Sequence, residues 1–312
     1  MTVTGGFELG LAGKAAVVTG AGVGLGQAIA LGLARAGVAV GLIDIDPERA
    51  TATAALIEKA GGRALPLPAD VMDTAALTDA ITSAHAQLGR LDILVNNAGG
   101  VKASRFLDQN ERSWRRHIEI NLVSMLAATS TAAPLIAQTV AGPGGSGSPA
   151  GPGGHGHGGG SIVNITSIEG VRAAPMYAVY AACKAGMINF TRTMAVELAD
   201  QGVRVNAIAP DMTGTAGIRG IMRGAVDPDE LPPLTPERLL GVARYVPLGR
   251  EGVASEVADA AVFLCSDRAS YITGATLSVD GGTAASAGWL RSPGGWALDG
   301  GPALSSFAPG AH

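Results

Sequence analysis

The chain has 312 residues, 47% of them apolar and 15% charged, with a net charge of −4. That is enough apolar material for a sizeable core, in one large α/β domain or two small ones. The mildly acidic balance and the lack of any basic stretch exclude the electrostatic footprint of a nucleic-acid binder or of a protein held on an anionic membrane.

The opening MTVTGGFELGLAGK has neither the basic nor the apolar region of a secretory leader. No run approaches the ~18 apolar residues that would span a bilayer. Lys14–Thr19 (KAAVVT) is short, β-branched and stops at glycine, as a strand does. Thr19-Gly20-Ala21-Gly22-Val23-Gly24-Leu25-Gly26 then opens a helix over Leu25–Ala36, whose Leu25, Ala28, Ile29, Leu33 and Ala36 share one face. A helix N-terminus offers unpaired N–H groups to a pyrophosphate, and glycines let the backbone approach it. The spacing of Gly20, Gly24 and Gly26 is G-x-x-x-G-x-G, not the strict dinucleotide pattern, and glycine supplies 46 of the residues. A strand-to-helix turn without a ligand is therefore the plain alternative.

The next strand, Val38–Asp44 (VAVGLID), ends on a carboxylate 18 positions after Gly26. Asp44 there would accept hydrogen bonds from adenosine ribose hydroxyls and repel a 2′-phosphate. No Arg or Lys stands in the turn or beside Asp44 in sequence to attract that phosphate, so NAD is expected rather than NADP. Further strands are read at Leu91–Asn96 (LDILVN), Ser161–Thr166 (SIVNIT), Val203–Ile208 (VRVNAI) and Ala275–Val279 (ATLSV). Nearly continuous apolar strands suit a sheet covered on both faces. Asp108–Gln138 reads as one long helix through Trp114, Ile118, Leu122, Met125 and Ile136. The alternation predicts a single-domain α/β fold: a Rossmann-type, doubly wound, mostly parallel sheet with helices on both faces.

Ala141–Gly160 (AGPGGSGSPAGPGGHGHGGG) breaks the rhythm and reads as a mobile surface loop, dispensable for chemistry. Its His155 and His157 have no carboxylate or thiol nearby, so no metal site is expected. Ser167 follows the strand Ser161–Thr166. Tyr180 and Lys184, four apart, lie on one face if their stretch is helical. Cys183 and Cys265 form no CxxC pair and read as small buried apolar groups in a reduced, cytoplasmic setting.

Taken in order, Thr19–Gly26, Asp70-Val71, Asn96-Asn97-Ala98-Gly99, Asn121, Ser167, Tyr180-x-x-x-Lys184 and Val279-Asp280-Gly281-Gly282 resemble the short-chain dehydrogenase/reductase family, from about Leu11 to Gly282. The resemblance implies an NAD(H)-dependent oxidoreductase that interconverts a secondary alcohol and a carbonyl. Tyr180 would be the general acid or base and Ser167 would hold the substrate oxygen. Lys184 would bind the nicotinamide ribose and lower the tyrosine pKa, and Asn121 would hold a water in a proton relay. Gly20, Gly22, Val23, Gly24, Leu25 and Gly26 would meet the pyrophosphate, with Asp44 and Ile45 on the ribose and Asp70 and Val71 on the adenine. Asn97, Ala98 and Gly99 would line the cleft. Pro210, Met212 and Thr213 would stand by the nicotinamide, with Thr215 as the other hydroxyl for its carboxamide. The resemblance also implies a homotetramer or homodimer with a small-molecule substrate.

The chain departs from the family at Pro210-Asp211, where Pro-Gly is usual. Asp211 would either meet ligand or point to solvent. Residues 212–247 read as a substrate lid, whose Arg219, Arg223, Arg238 and Arg244 read as solvated charges before they read as an anion site. Lid residues Ile218, Ile221, Met222 and Val226 would floor an apolar pocket or form the buried face of a lid helix. The organisation expected is a dinucleotide-binding and catalytic domain over 1–283 and an extension over 284–312 carrying Trp289 and Trp296.

Overall fold

The computed structural model describes residues 8–142, 159–221, 231–292 and 295–298. Strands β1 (Ala15–Thr19), β2 (Ala39–Asp44), β3 (Ala64–Pro68), β4 (Ile93–Asn96), β5 (Gly160–Ile165) and β6 (Val203–Pro210) follow in chain order. A two-residue pair, β7 (Thr213–Gly214) with β8 (Gly252–Val253), stands apart, and β9 (Thr276–Val279) completes the main sheet. That sheet has seven strands, all parallel, in the order β3-β2-β1-β4-β5-β6-β9. The order reverses between β1 and β4, and in such sheets ligands bind outside the carboxyl ends of the strands at that switch point.

Both faces are covered, and the pleat shows how. In β1, Ala16 and Val18 face the cluster built by helices α1 (Gly24–Arg35), α2 (Pro47–Lys59) and α8 (Ala254–Cys265), through Ile29, Leu33, Ile57 and Leu264. Val17, between them, faces the opposite cluster. There α3 (Thr74–Leu88) and α5 (Ser124–Ala141) supply Leu77, Ile81, Ala132 and Ile136. A two-sided core of this kind needs apolar residues at every strand position, which is why these strands read as continuous apolar runs.

Two elements differ from expectation. β3 carries Pro66 and Pro68 and reads poorly as a strand, yet it forms, because it is the edge and proline's missing N–H is tolerated there. The helix expected over Asp108–Gln138 is interrupted. It runs as α4 (Glu111–Ile118), a π-helical turn (Glu119–Val123) and α5. Among the described residues the stretch Glu111–Ala141 is long and apolar enough to cross a membrane by length and composition alone. Here Met125, Ala128, Ala132 and Ile136 are buried within the chain.

The insertion enters from the end of α5 and returns into β5 at its amino end, opposite the carboxyl ends of the sheet. Its residues 143–158, with His155 and His157, lie outside the described residues, as do Met222, Arg223 and Val226 of the lid. Helices α6 (Ala178–Glu197) and α7 (Pro236–Tyr245) carry the remaining site residues. In the extension, Leu290–Ser292 pairs antiparallel with Gly295–Ala297. Arg291 packs over the Trp296 ring and donates to the Pro247 carbonyl, which ties this hairpin to the end of the lid.

Candidate active site

The glycine-rich turn leaves β1 at the switch point. Gly20 and Gly24 adopt φ of +63° and +62°, a region that costs an L side chain strain. At Gly26 a Cβ would stand 2.0 Å from the Gly20 carbonyl oxygen and 2.5 Å from Asn97 Nδ2. The turn is thus closed too tightly for any side chain. Val23 caps α1 without a side-chain hydrogen bond, so the first-turn N–H groups are left for a ligand. Asn97 braces the turn from β4 by donating through Nδ2 to the carbonyls of Thr19 (2.9 Å) and Gly20 (3.1 Å). The backbone N–H groups of Asn97 and Ala98 both donate to Thr19 Oγ1 at 3.0 Å.

Asp44 is buried at the end of β2, where Oδ2 accepts from Gly22 N at 2.8 Å and Oδ1 from Asp46 N at 3.0 Å. A carboxylate has about four acceptor positions, so capacity remains for ribose hydroxyls. Ile45 is exposed beside it. The expectation that no cation stands near Asp44 is corrected by the fold. Arg49, in the first turn of α2, comes so close that a Cβ on Gly22 would meet Arg49 Cβ at 2.5 Å and Asp44 Oδ2 at 2.8 Å. Its guanidinium lies 3.6 Å from Asp46. Five residues of sequence separate Arg49 from Asp44, and only the turn into α2 folds it back. Val71 is buried after β3, and Asp70 accepts from Met72 N at 2.9 Å. The uncapped helix start, the bare glycine turn and the acceptor at Asp44 together fit a dinucleotide.

Ser167, Tyr180 and Lys184 come together at the carboxyl end of β5. Ser167 caps the 3-10 turn Ile168–Gly170, accepting from Glu169 N at 3.3 Å while its hydroxyl donates to the Glu169 carboxylate. Tyr180 stands in the first turn of α6 and faces Ser167. Lys184, one turn on, sits with Nζ 5.5 Å from the Tyr180 ring centroid and donates to the Ile165 carbonyl at 2.9 Å. Burial holds the lysine well down, to about 8. Burial also pushes Tyr180 up to about 12; the Ser167 hydroxyl opposes this and the charges of Glu169 and Asp211 add to it. In the chain by itself desolvation and the two carboxylates thus hold the phenol above its ordinary value.

Asn121 lies in the π-helical turn and is fully buried. It donates to the carbonyls of Gly100 (2.8 Å) and His117 (2.9 Å) and accepts from Gly100 N at 3.1 Å. Its side chain thus fastens the loop after β4 to the helix break. π-Turns occur often at functional sites. Gly99 sits directly above, where a Cβ would meet Asn121 Oδ1 at 2.8 Å.

The wall beside Ser167 was not legible beforehand. Asp211 does not point to solvent. It accepts from Thr283 Oγ1 (2.7 Å) and from the Tyr245 hydroxyl (3.1 Å), which α7 brings down from the lid. Arg172 donates to that same hydroxyl and lies 3.7 Å from Glu169 and 3.8 Å from Asp211. Burial raises the Asp211 carboxyl. Pro210 closes β6, and Met212 follows with φ of +33°. Of the two threonines, Thr213 donates to the Asp211 carbonyl at 2.9 Å, while Thr215 lies 3.4 Å from the place of a Cβ on Gly24 and so covers the turn. Arg219 is not a solvated lid charge, since it pairs with Glu251 at 2.6 Å and both are largely buried. Among the described residues no group of three or more His, Cys, Asp or Glu is arranged to hold a metal. Cys183 and Cys265 are unpaired and buried.

The family model for short chain dehydrogenases matches residues 14–223. Curated relatives include 2-(S)-hydroxypropyl-CoM dehydrogenase 3 of Xanthobacter autotrophicus, 35% identical over 88% of this chain and 98% of that protein. Another is 3beta-hydroxysteroid dehydrogenase 1 of Eggerthella lenta, 35% identical over 76% of this chain and 80% of its own. Among solved structures, a 7 alpha-hydroxysteroid dehydrogenase complexed with NADH and 7-oxo glycochenodeoxycholic acid superposes with a TM-score of 0.75 at 32% identity, covering 88% of this chain and 96% of that one. A dehydrogenase/reductase from Sinorhizobium meliloti gives 0.73 at 29% identity, covering 88% and 97%. The chain belongs to the short-chain dehydrogenase/reductase family, a family of oxidoreductases that bind nicotinamide dinucleotides.

Proposed function

We propose that this enzyme interconverts a secondary alcohol and a ketone with NAD(H), using Tyr180 as general acid or base. The observation that carries the reading is the meeting of Tyr180 with Ser167 and the buried Lys184 at the same end of the sheet as the bare glycine turn. The dinucleotide, when bound, would supply the hydride donor or acceptor and, in its oxidised form, a positive charge that favours the phenolate. Gly20 to Gly26 would hold its pyrophosphate, Asp44 and Ile45 its ribose, and Asp70 and Val71 its adenine. Asn97 to Gly99, Pro210, Met212 and Thr213 or Thr215 would stand around the nicotinamide half.

Ser167 holds the substrate oxygen against the Tyr180 hydroxyl. Tyr180 exchanges a proton with that oxygen, a service worth on the order of 10²–10⁴ in rate. Lys184 orients the nicotinamide ribose and, when protonated, favours the phenolate. Asn121 keeps Gly100 and the helix break in register and so keeps the relay side of the site formed. NAD is favoured over NADP by the Asp44 carboxylate, with Arg49 drawn towards Asp46. The NADH in the 7 alpha-hydroxysteroid dehydrogenase neighbour supports the same choice.

Two unpaired, buried cysteines suit a cytoplasmic setting. Phe106, Ile118, Leu122 and Ala182 line an apolar groove along α4 and α6, which suits pairing of long helices in a homodimer or homotetramer. The test is the nicotinamide absorbance change on screening secondary alcohols with NAD and NADP. Turnover with NAD supports the reading, and calorimetry that finds no affinity for either dinucleotide removes it.

A further inference from the structure

Glu169 is the group that the reaction as described leaves unused. Its carboxylate accepts the Ser167 hydroxyl and has Arg172 at 3.7 Å. The neighbouring Asp211 differs, because Thr283, Tyr245 and the Met212 N–H all donate to it and leave it satisfied by the chain itself. Ser167 has a single hydroxyl proton. When that proton turns to a substrate carbonyl oxygen, Glu169 loses its hydrogen-bonded donor, and a part-buried carboxylate without one is costly. A Glu169 oxygen and a substrate oxygen that take this proton by turns, each about 2.75 Å from the hydroxyl oxygen and near the tetrahedral angle to one another, lie about 4.5 Å apart. Vicinal heteroatoms in a staggered gauche arrangement lie roughly 3 Å apart. A donor on the carbon next to the reacting one therefore reaches Glu169 while the reacting oxygen stays on Ser167.

We infer that the substrates are vicinal diols or 2-amino alcohols, with the matching α-hydroxy or α-amino ketones, and that Glu169 takes the second donor. Charge points the same way. Two carboxylates here share the one guanidinium of Arg172, which also donates to Tyr245. Among the described residues the other cation at the site, Lys184, is buried against Ile165. An anionic substituent beside the carbinol would meet Glu169 and be repelled.

This inference rests on the oxidoreductase reading above, and one set of assays separates the two. The full-length chain, first shown by calorimetry to bind the dinucleotide, is given trans-cyclohexane-1,2-diol, cyclohexanol and 2-hydroxycyclohexane-1-carboxylate. The expected kcat/KM for the diol exceeds that for cyclohexanol by about 10–100-fold, the worth of one hydrogen bond to a charged group, and the carboxylate is the poorest of the three. Glu169→Gln should collapse the ratio of diol to cyclohexanol to within a few-fold, mainly through the KM for the diol. A merely structural role would lower both alcohols together and keep the ratio. Equal use of cyclohexanol and the diol, a ratio unchanged in Glu169→Gln, or no turnover of any of the three by a chain that binds dinucleotide overturns the inference and leaves the oxidoreductase reading intact. Failure to bind dinucleotide sinks that reading and this one with it.

Discussion

Replacing Lys184 by methionine should make the protein more stable at neutral pH while removing its activity. The ammonium is buried, and burial brings its pKa from 10.5 to about 8. That fall corresponds to about 3 kcal/mol against the charged form. Because the folded value lies below the unfolded one, the folded chain sheds this proton between pH 8 and 10.5 while the unfolded chain keeps it, so stability rises with pH across that window. Below pH 8 the penalty is fully present. Lys184→Met removes it and also removes the Nζ donor of the 2.9 Å bond to Ile165, a loss of about 1 kcal/mol. The net gain at pH 7 is about 2 kcal/mol, shrinking to well under 1 kcal/mol by pH 9.5. Tyr180, pushed up to about 12, loses stability from pH 10 upward in both proteins and cancels in the difference. Urea unfolding of the two proteins at pH 7 and pH 9.5 measures it. A variant less stable than its parent at pH 7, or a difference that does not change with pH, refutes the reasoning.

Gly26→Ala places a Cβ 2.0 Å from the Gly20 carbonyl oxygen and should weaken dinucleotide binding at least 100-fold, read by quenching of protein fluorescence. Asp44→Ala removes the acceptor at the β2 end and exposes the turn to Arg49, so the ratio of kcat/KM for NADP to that for NAD should rise by about 10-fold or more, followed by the absorbance of the reduced cofactor. Asn121→Ala strips partners from Gly100 and from the His117 carbonyl in a fully buried place. It should cost about 2–4 kcal/mol in urea unfolding, since each orphaned group costs about 1–3 kcal/mol before relaxation.

Much of the fold could be read from the chain because its strands are buried on both faces. Ala16, Val17 and Val18 serve opposite cores in turn, so the apolar run is unbroken and easily seen. β3 escaped because prolines at 66 and 68 mask a strand that only an edge can accept. The π-turn at Glu119–Val123 keeps helical hydrophobic spacing on either side, so periodicity passes over it. Ser167, Tyr180 and Lys184 were legible because sequence spacing and strand ends place them together. The wall around Asp211 was not, because Arg172, Tyr245 and Thr283 reach it from different elements, 73 positions separating Arg172 from Tyr245; Glu169 stands two residues after Ser167, but nothing in its spacing marks it. Arg49 was missed for the same reason as the wall. The one local sign of this wall was Asp211, standing where glycine is usual.

The measurement that bears most directly on the account is Tyr180→Phe assayed two ways in one preparation: dinucleotide affinity by calorimetry and alcohol oxidation by absorbance. The account predicts affinity within a few-fold of the parent and turnover lower by at least about 10²-fold. Turnover at the parental rate in the phenylalanine variant would contradict it.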